Sequence, residues 1–243
     1  QIVFTKNCTE ALNAAIKGSV KRGDHVIISS LEHNAVWRVV SKLKNDGIIA
    51  LDIADYNEDD TVCVNNFVSR VKPNTSLIVC MSASNVFGVV FPIAKIGEQA
   101  RKHNIRFIVD GAQTAGIMPL HSETDHFDIL CAPGHKCLLG QMGTGFMAVR
   151  EGVKLNPFME GGTGSNSLDA QQPDFMPDRF ESGTLNNSGI ISLGAGIDFI
   201  HEKGMRNIYN HEMRAARLLY DGLDQDPNAI LYLSLIHISE PTR

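Results

Sequence analysis

Along the first 150 positions, apolar residues come as short solid runs. Between the runs lie stretches where apolar residues recur every three or four positions. The runs at 2–5, 25–29, 48–53, 77–81, 106–110, 127–131 and 146–149 predict strands. The run at 77–81 is apolar almost throughout, as in a strand covered on both faces. Leu12, Ile16 and Val20, with Ala15, mark one apolar helix face. Val36, Val39, Val40 and Leu43 mark a second, and Ile93, Ile96 and Ala100, behind Pro92, a third. A shorter helix is predicted over 64–71, between an acidic turn at 56–61 and the stop at Pro73-Asn74. Strands alternating with helices predict an α/β fold with a largely parallel sheet. The strand at 146–149 follows its predecessor by a short turn and is expected to run antiparallel to it.

Farther along, residues 161–177 are rich in Gly, Ser, Asn, Gln and Pro and read as one long loop. Leu193, Ile197 and Ile200 predict a helix entered through Ser188-Gly189. Another is expected over about 208–223, closed by Asp226-Pro227, and 228–232 read as the start of a strand. The last eleven residues, 233–243, read as the translation of a common sequencing-library adapter and are set aside as non-native, the other reading being a genuine strand and tail. The chain also opens without Met, inside a strand, so both ends look cut.

Composition narrows the function classes. A net charge of −5 over 243 residues gives no reason to expect nucleic acid or a membrane as partner. No apolar run approaches bilayer length, and the start lacks the plan of a signal peptide. Five cysteines (Cys8, Cys63, Cys80, Cys131 and Cys137) are scattered and odd in number, without metal-ligand spacing. That pattern favours reduced thiols and a cytoplasmic location.

Candidate chemistry gathers between 106 and 145. One strand ends in Asp110, followed by Gly111-Ala112-Gln113; the next leads into Gly134-His135-Lys136 and a glycine-rich segment at 140–145. Open α/β sheets bind ligands at the carboxyl ends of their strands. An acid and a lysine fixed there are what a pyridine-aldehyde cofactor needs: the lysine forms the Schiff base and the acid pairs with the ring nitrogen. Taken singly, Asp110 reads equally as a cap or salt-bridge partner, Lys136 as a surface lysine and the glycines as a tight turn. The segment at 140–145 is no P-loop, because it lacks the closing Gly-Lys-Ser/Thr. Cys8 and Thr9 stand at a predicted helix N-terminus, which attracts anions; Thr9 alone is more simply read as that helix's cap. His33 lies at a strand-to-helix junction, where a histidine is more often a hydrogen-bonded loop residue than a functional one.

Together these stretches resemble the class V aminotransferase-like enzymes of fold type I, which depend on pyridoxal 5'-phosphate, and within them the cysteine desulfurases and selenocysteine lyases. The likeness is carried by Phe4-Thr5-Lys6-Asn7-Cys8-Thr9-Glu10, Glu32-His33-Asn34, Ala83-Ser84-Asn85-Val86-Phe87-Gly88, Val109-Asp110-Gly111-Ala112-Gln113, Gly134-His135-Lys136, Glu160-Gly161-Gly162-Thr163-Gly164-Ser165 and Phe180-Glu181-Ser182-Gly183-Thr184. It implies a mostly parallel seven-stranded sheet flanked by helices. Residues 1–232 would form the cofactor-binding domain, with the large domain running to about 205 and a small domain beginning after it. The resemblance gives Lys136 the Schiff base, Asp110 the pyridinium nitrogen and His33 the ring face. Gln113 and Asn85 would face the ring oxygen or the substrate, while Cys8, Thr9 and His135 would belong to the phosphate end. Thr184 would reach the phosphate of a neighbouring subunit, implying a homodimer.

This sequence departs from the family pattern at Pro133, where Ser is frequent, and at Gln141, where Pro is frequent. The desulfurase nucleophile, a cysteine on a mobile loop, and the arginine that binds the substrate carboxylate both lie farther downstream in the family. Cys137 adjoins Lys136, but neighbours on an extended segment point apart, so it reads as a packing thiol. The expected function is therefore that of a cysteine desulfurase, with cysteine as substrate, alanine as product and a possible sulfur-acceptor protein as partner. The chain itself is expected to be inactive. A class V aminotransferase or selenocysteine lyase shares the same cofactor. Readings from other classes are a metal-dependent hydrolase or lyase built on His33, Asp110 and His135, and a non-catalytic fragment.

Overall fold

The computed structural model describes residues 1–165 and 168–231; the segment at 233–243 lies outside them. Seven strands form one sheet: β1 (Ile2–Thr5), β2 (Asp24–Ser29), β3 (Ile49–Ala54), β4 (Thr75–Met81), β5 (Arg106–Asp110), β6 (Ile129–Pro133) and β7 (Gly145–Val149). Their order is β1-β7-β6-β5-β4-β2-β3. Only β7 opposes its neighbours, pairing antiparallel with β1 and β6 as its short connection requires. Among the described residues six helices accompany the sheet: α1 (Cys8–Ser19), α2 (Asn34–Asn45), α3 (Asp60–Val68), α4 (Ile93–Lys102), α5 (Asn187–Lys203) and α6 (Met205–Asp224).

Solid apolar runs form these strands because both sheet faces are covered. Val26, Ile28, Leu77, Val79 and Ile108 point to one face and meet Leu12 and Ile16 of α1 and Val36 and Val40 of α2. Ile27, Ile78, Phe107 and Val109 alternate to the other face and meet Phe67 of α3 and Ile96 of α4. Each such side chain, fully buried, stabilises the fold by about 1.5–3 kcal/mol. Leu193 and Ile200 of α5 pack with Ala132 and Leu138, behind the turn that follows β6. No residue of α6 is buried.

Local chemistry moves several expected boundaries. The helix expected at 64–71 occupies Asp60–Val68, because Asp59 caps it by accepting from Thr61 N at 2.8 Å and Val62 N at 3.1 Å. The last two residues of the acidic turn thus begin the helix, and the helix ends ahead of Pro73. Thr9 is not the cap of α1. Asn7 is, its Oδ1 accepting from Glu10 N at 2.9 Å, which leaves Thr9 inside the first turn. Residues 228–231 form no strand, and Tyr232 lies outside the described residues. Among those residues no helix is long and apolar enough to cross a membrane.

The strand order also fixes where a ligand can sit. Strand β2 hands on to β3 on one side, and β4 to β5 on the other. The loops after β2 and β4 therefore part and leave a crevice at the carboxyl edge of the sheet.

Candidate active site

A cavity of about 250 Å³ lies at that edge, bounded by the ends of β4 (Met81), β5 (Asp110) and β6 (Pro133) and by the starts of α1 and α2. Its walls bring together Cys8, Thr9, His33, Asn85, Asp110, Gln113, His135 and Lys136, eight of the nine expected site residues. Thr184 is the exception. It lines a different cavity, with Phe4, Lys6 and Glu181. A larger and more open cavity of about 880 Å³ lies at the opposite edge of the sheet, near Asp24, Thr75 and Arg106, where the parallel strands begin. Parallel sheets bind ligands at the other end, and the smaller cavity is the one that holds the acid and the lysine.

Asp110 is only 3% exposed. Its Oδ1 accepts from Ala112 N at 2.9 Å and from the Cys8 thiol at 3.6 Å. Burial pushes its carboxyl above the usual range; those two donors, then the charges of His33 and Lys136, pull it back. Its backbone is pinned from both sides: Ser82 N donates to Asp110 O at 2.9 Å, and Gly111 N to Cys131 O at 2.9 Å. The acid stands on the rigid middle of the sheet, and both donors named here engage Oδ1, so Oδ2 is left to a ligand.

His135 and Lys136 sit exposed in the turn after β6, which Gly140 N closes on Gly134 O at 2.7 Å. Gly134 is needed there because a Cβ would run into the Thr144 side chain. At Gly145 a Cβ would lie 2.6 Å from the carbonyl carbon of Asn7, so β7 can abut the start of α1 only with glycine there. Gly145→Ala is expected to lower stability by about 1–3 kcal/mol through overpacking. The urea midpoint reads this, with an unchanged slope; an unchanged midpoint would mean that the start of α1 yields freely. That start lines the cavity with Cys8 and Thr9, whose backbone N–H groups belong to the unpaired first turn of the helix. His33 caps α2, its Nδ1 accepting from Ala35 N at 3.1 Å, and keeps an exposed ring at the cavity wall.

None of the five cysteines is bonded to another. Burial raises the pKa of every one, most strongly at Cys8, Cys80 and Cys131. Reactive thiols show the opposite shift. Cys137 stands beside the cavity rather than in its wall and donates to Gln113 O at 3.7 Å. Among the described residues no three of His, Cys, Asp and Glu are grouped to hold a metal.

One carboxyl at this edge carried no role in the sequence reading: Glu32, one position before His33 and only 7% exposed. Its position between a strand end and a helix cap gives no periodic signal; its burial and its long-range contact with Met81 N appear only in the fold.

Comparison with known proteins agrees with this architecture. A probable cysteine desulfurase of Methanothermobacter thermautotrophicus is 33% identical over 227 residues, covering 90% of this chain and 56% of its own length. The apo structure of a cysteine desulfurase from Thermococcus onnurineus superposes with a TM-score of 0.84 at 31% identity, over 92% of this chain and 57% of that one. A structure of SspA in complex with cysteine follows at a TM-score of 0.71 and 28% identity, over 81% of this chain and 55% of its own. The chain thus spans little more than half the length of each of these three proteins. The model of the family described as aminotransferase class-V matches residues 1–237, and a match over nearly every position makes the membership plain: the chain belongs to the class V aminotransferase family.

Proposed function

We propose that this chain is the cofactor-binding part of a cysteine desulfurase, an enzyme that takes sulfur from cysteine and leaves alanine. The observation that carries the reading is Asp110 and Lys136 facing one cavity beside the N-terminus of α1. Members of this family depend on pyridoxal 5'-phosphate, and the residues fit it. A buried carboxylate whose two donors both engage Oδ1 suits a ring N–H. A free helix N-terminus suits a phosphate, and a small cavity suits a single ring.

Lys136 would carry the cofactor covalently, with Asp110 at the ring nitrogen and His33 on the ring face. Gln113 and Asn85 would face its oxygen or the substrate. Thr9, His135 and the N–H groups that begin with Cys8 would hold the phosphate. When bound, the cofactor accepts the electrons released at the substrate's α-carbon. Burial raises the Asp110 carboxyl, and Ala112 N, Cys8, His33 and Lys136 offset part of that rise; as a carboxylate it would favour the protonated ring nitrogen that this requires. The Lys136 amine, at the same wall, is the group in reach to move a proton at that carbon.

Sulfur removal needs a thiolate that attacks the substrate sulfur. An S–S bond forms as the C–S bond breaks, and the electron pair left on carbon takes a proton to give alanine. No cysteine described here suits that part, since burial holds each thiol protonated. The nucleophile would therefore belong to a loop outside this chain, and a separate acceptor protein would take the sulfur onward. Thr184, apart from the cavity of its own chain, would serve a second copy in a homodimer. Helix α6, with Leu218 75% and Leu219 66% exposed, would begin the small domain. The free thiols suit a reducing compartment such as the cytoplasm.

The test is the release of sulfide and alanine from cysteine, by this chain and by a full-length relative. The relative is expected to turn over while this chain binds the cofactor without sustained turnover. Steady cysteine-dependent release by the chain alone would show that a thiol within it is the nucleophile. Keto acid in place of alanine would move the reading to an aminotransferase.

A further inference from the structure

Two carboxyl groups stand at the ligand edge of the sheet, and the proposed function uses only Asp110. The second is Glu32, in the loop that joins β2 to α2. Its Oε1 accepts two hydrogen bonds: from Ser29 Oγ at the end of β2 (2.5 Å) and from Met81 N at the end of β4 (2.7 Å). Its Oε2 is buried and has no partner among the described residues. Strands β2 and β4 are the pair whose loops part at the crevice, so Glu32 bridges the gap on which the cavity depends. Met81 lies opposite Asp110 in the sheet register, and Met81, His33 and Asp110 all line the cavity.

A carboxylate in this position would bury a charge with one oxygen unsatisfied, which is far more costly than burying the neutral acid. Among the described residues, the titratable groups that act on it bring no positive charge. Asp110 on β5 acts on it as a like charge, and Cys80 on β4 is a thiol whose own pKa is raised by burial and then by Glu32. We infer that Glu32 is a positioning residue held as a neutral carboxylic acid: it ties the β2–α2 loop, and with it His33, to the end of β4, and leaves Asp110 as the one carboxylate facing the ligand. The consequence for the cofactor rests on the proposed function; the tie and the protonation do not. The direction agrees with the electrostatics. Burial pushes the Glu32 carboxyl up to about 8, Asp110 pushes the same way, and the bonds from Ser29 and Met81 pull back. A neutral Glu32 also spares Asp110 a like charge one strand away. The carboxylate that must pair with a protonated ring nitrogen is then the one that ionises.

Infrared spectroscopy of this chain without cofactor tests the protonation directly. At neutral pH the chain is expected to show the C=O stretch of a buried carboxylic acid, converting to carboxylate with a midpoint near 8. Glu32→Gln removes that band. Asp110→Asn keeps it and lowers its midpoint, because the like charge is gone. A chain with no acid band at neutral pH, or a band that survives in Glu32→Gln, overturns the inference. If Glu32→Gln does not fold, the wild-type and Asp110→Asn titrations decide alone.

The positioning role is read with pyridoxal phosphate as the probe. Glu32→Gln, which keeps an acceptor at Oε1 and no charge, retains the cofactor close to wild type. Glu32→Ala, which leaves Met81 N unpaired, loses about tenfold in affinity. Equal loss in both variants would mean that a charge is required, and no loss in either would mean that the tie is idle; each overturns the role. If the wild type takes up no pyridoxal phosphate, the proposed function fails while the infrared result still stands or falls by itself.

Discussion

Lys136→Ala abolishes covalent retention of pyridoxal phosphate by this chain. The effect is all or none because Lys136 is the lysine in the cavity wall, and no other amine among the residues lining it can take over. The side chain is exposed in the turn after β6, so its removal costs the fold little. His135→Ala is the informative contrast. A phosphate contact is one of several charge-assisted hydrogen bonds, each worth about 1.5–3 kcal/mol, so that variant weakens retention by about 10- to 150-fold and keeps the covalent attachment. Borohydride reduction followed by peptide mapping separates the two. Wild type and His135→Ala carry the label on the peptide that contains residue 136, and Lys136→Ala carries none. A label on Lys6, Lys17 or any other lysine would sink the assignment, and with it the proposed role of the Asp110 edge.

Much of the fold was legible in the sequence because its strands are covered on both faces. A strand such as 77–81 must then be apolar at every position, and a run of that kind stands out without alignment. The site was legible for a related reason. Asp110 ends β5 and Lys136 follows β6, and in parallel neighbours such positions share one edge whatever the loops between them do. Reading failed where a single side chain decides. Asn7 takes the cap of α1 from Thr9 because its amide oxygen reaches Glu10 N from one turn back, a choice between two good capping residues that spacing does not settle. Asp59 starts α3 earlier than the apolar spacing suggests, since Val64 and Phe67 mark the buried face but not the first turn. Glu32 escaped entirely. What makes it unusual is a hydrogen bond to a residue 49 positions away and an oxygen sealed from water, and no periodicity reports either.

Glu32→Gln is expected to change how stability depends on pH. Folded, Glu32 keeps its proton until about pH 8; unfolded, it loses that proton near the ordinary value of 4.5. Between those limits the folded chain binds one proton more than the unfolded chain, so stability falls as pH rises through that window. Below 4.5 both states are protonated and the contribution vanishes; above about 8 both are ionised and the loss is complete. Each pH unit crossed removes about 1.4 kcal/mol, so by neutral pH the loss is on the order of 3 kcal/mol. Glutamine is uncharged at every pH and offers the same acceptor to Ser29 and Met81, so the variant carries no such slope. Urea unfolding at a series of pH values measures the difference. The variant should gain on the wild type steadily through the window and hold its lead above it, with no advantage in acid. Asp110, whose carboxyl is also raised by burial and which acts on Glu32 as a like charge, adds a slope of the same sign; making the comparison in an Asp110→Asn background removes it. Two curves that run parallel from acid to alkaline pH would show that the folded chain holds no extra proton at Glu32, and the bridge across the crevice would then be a charged one.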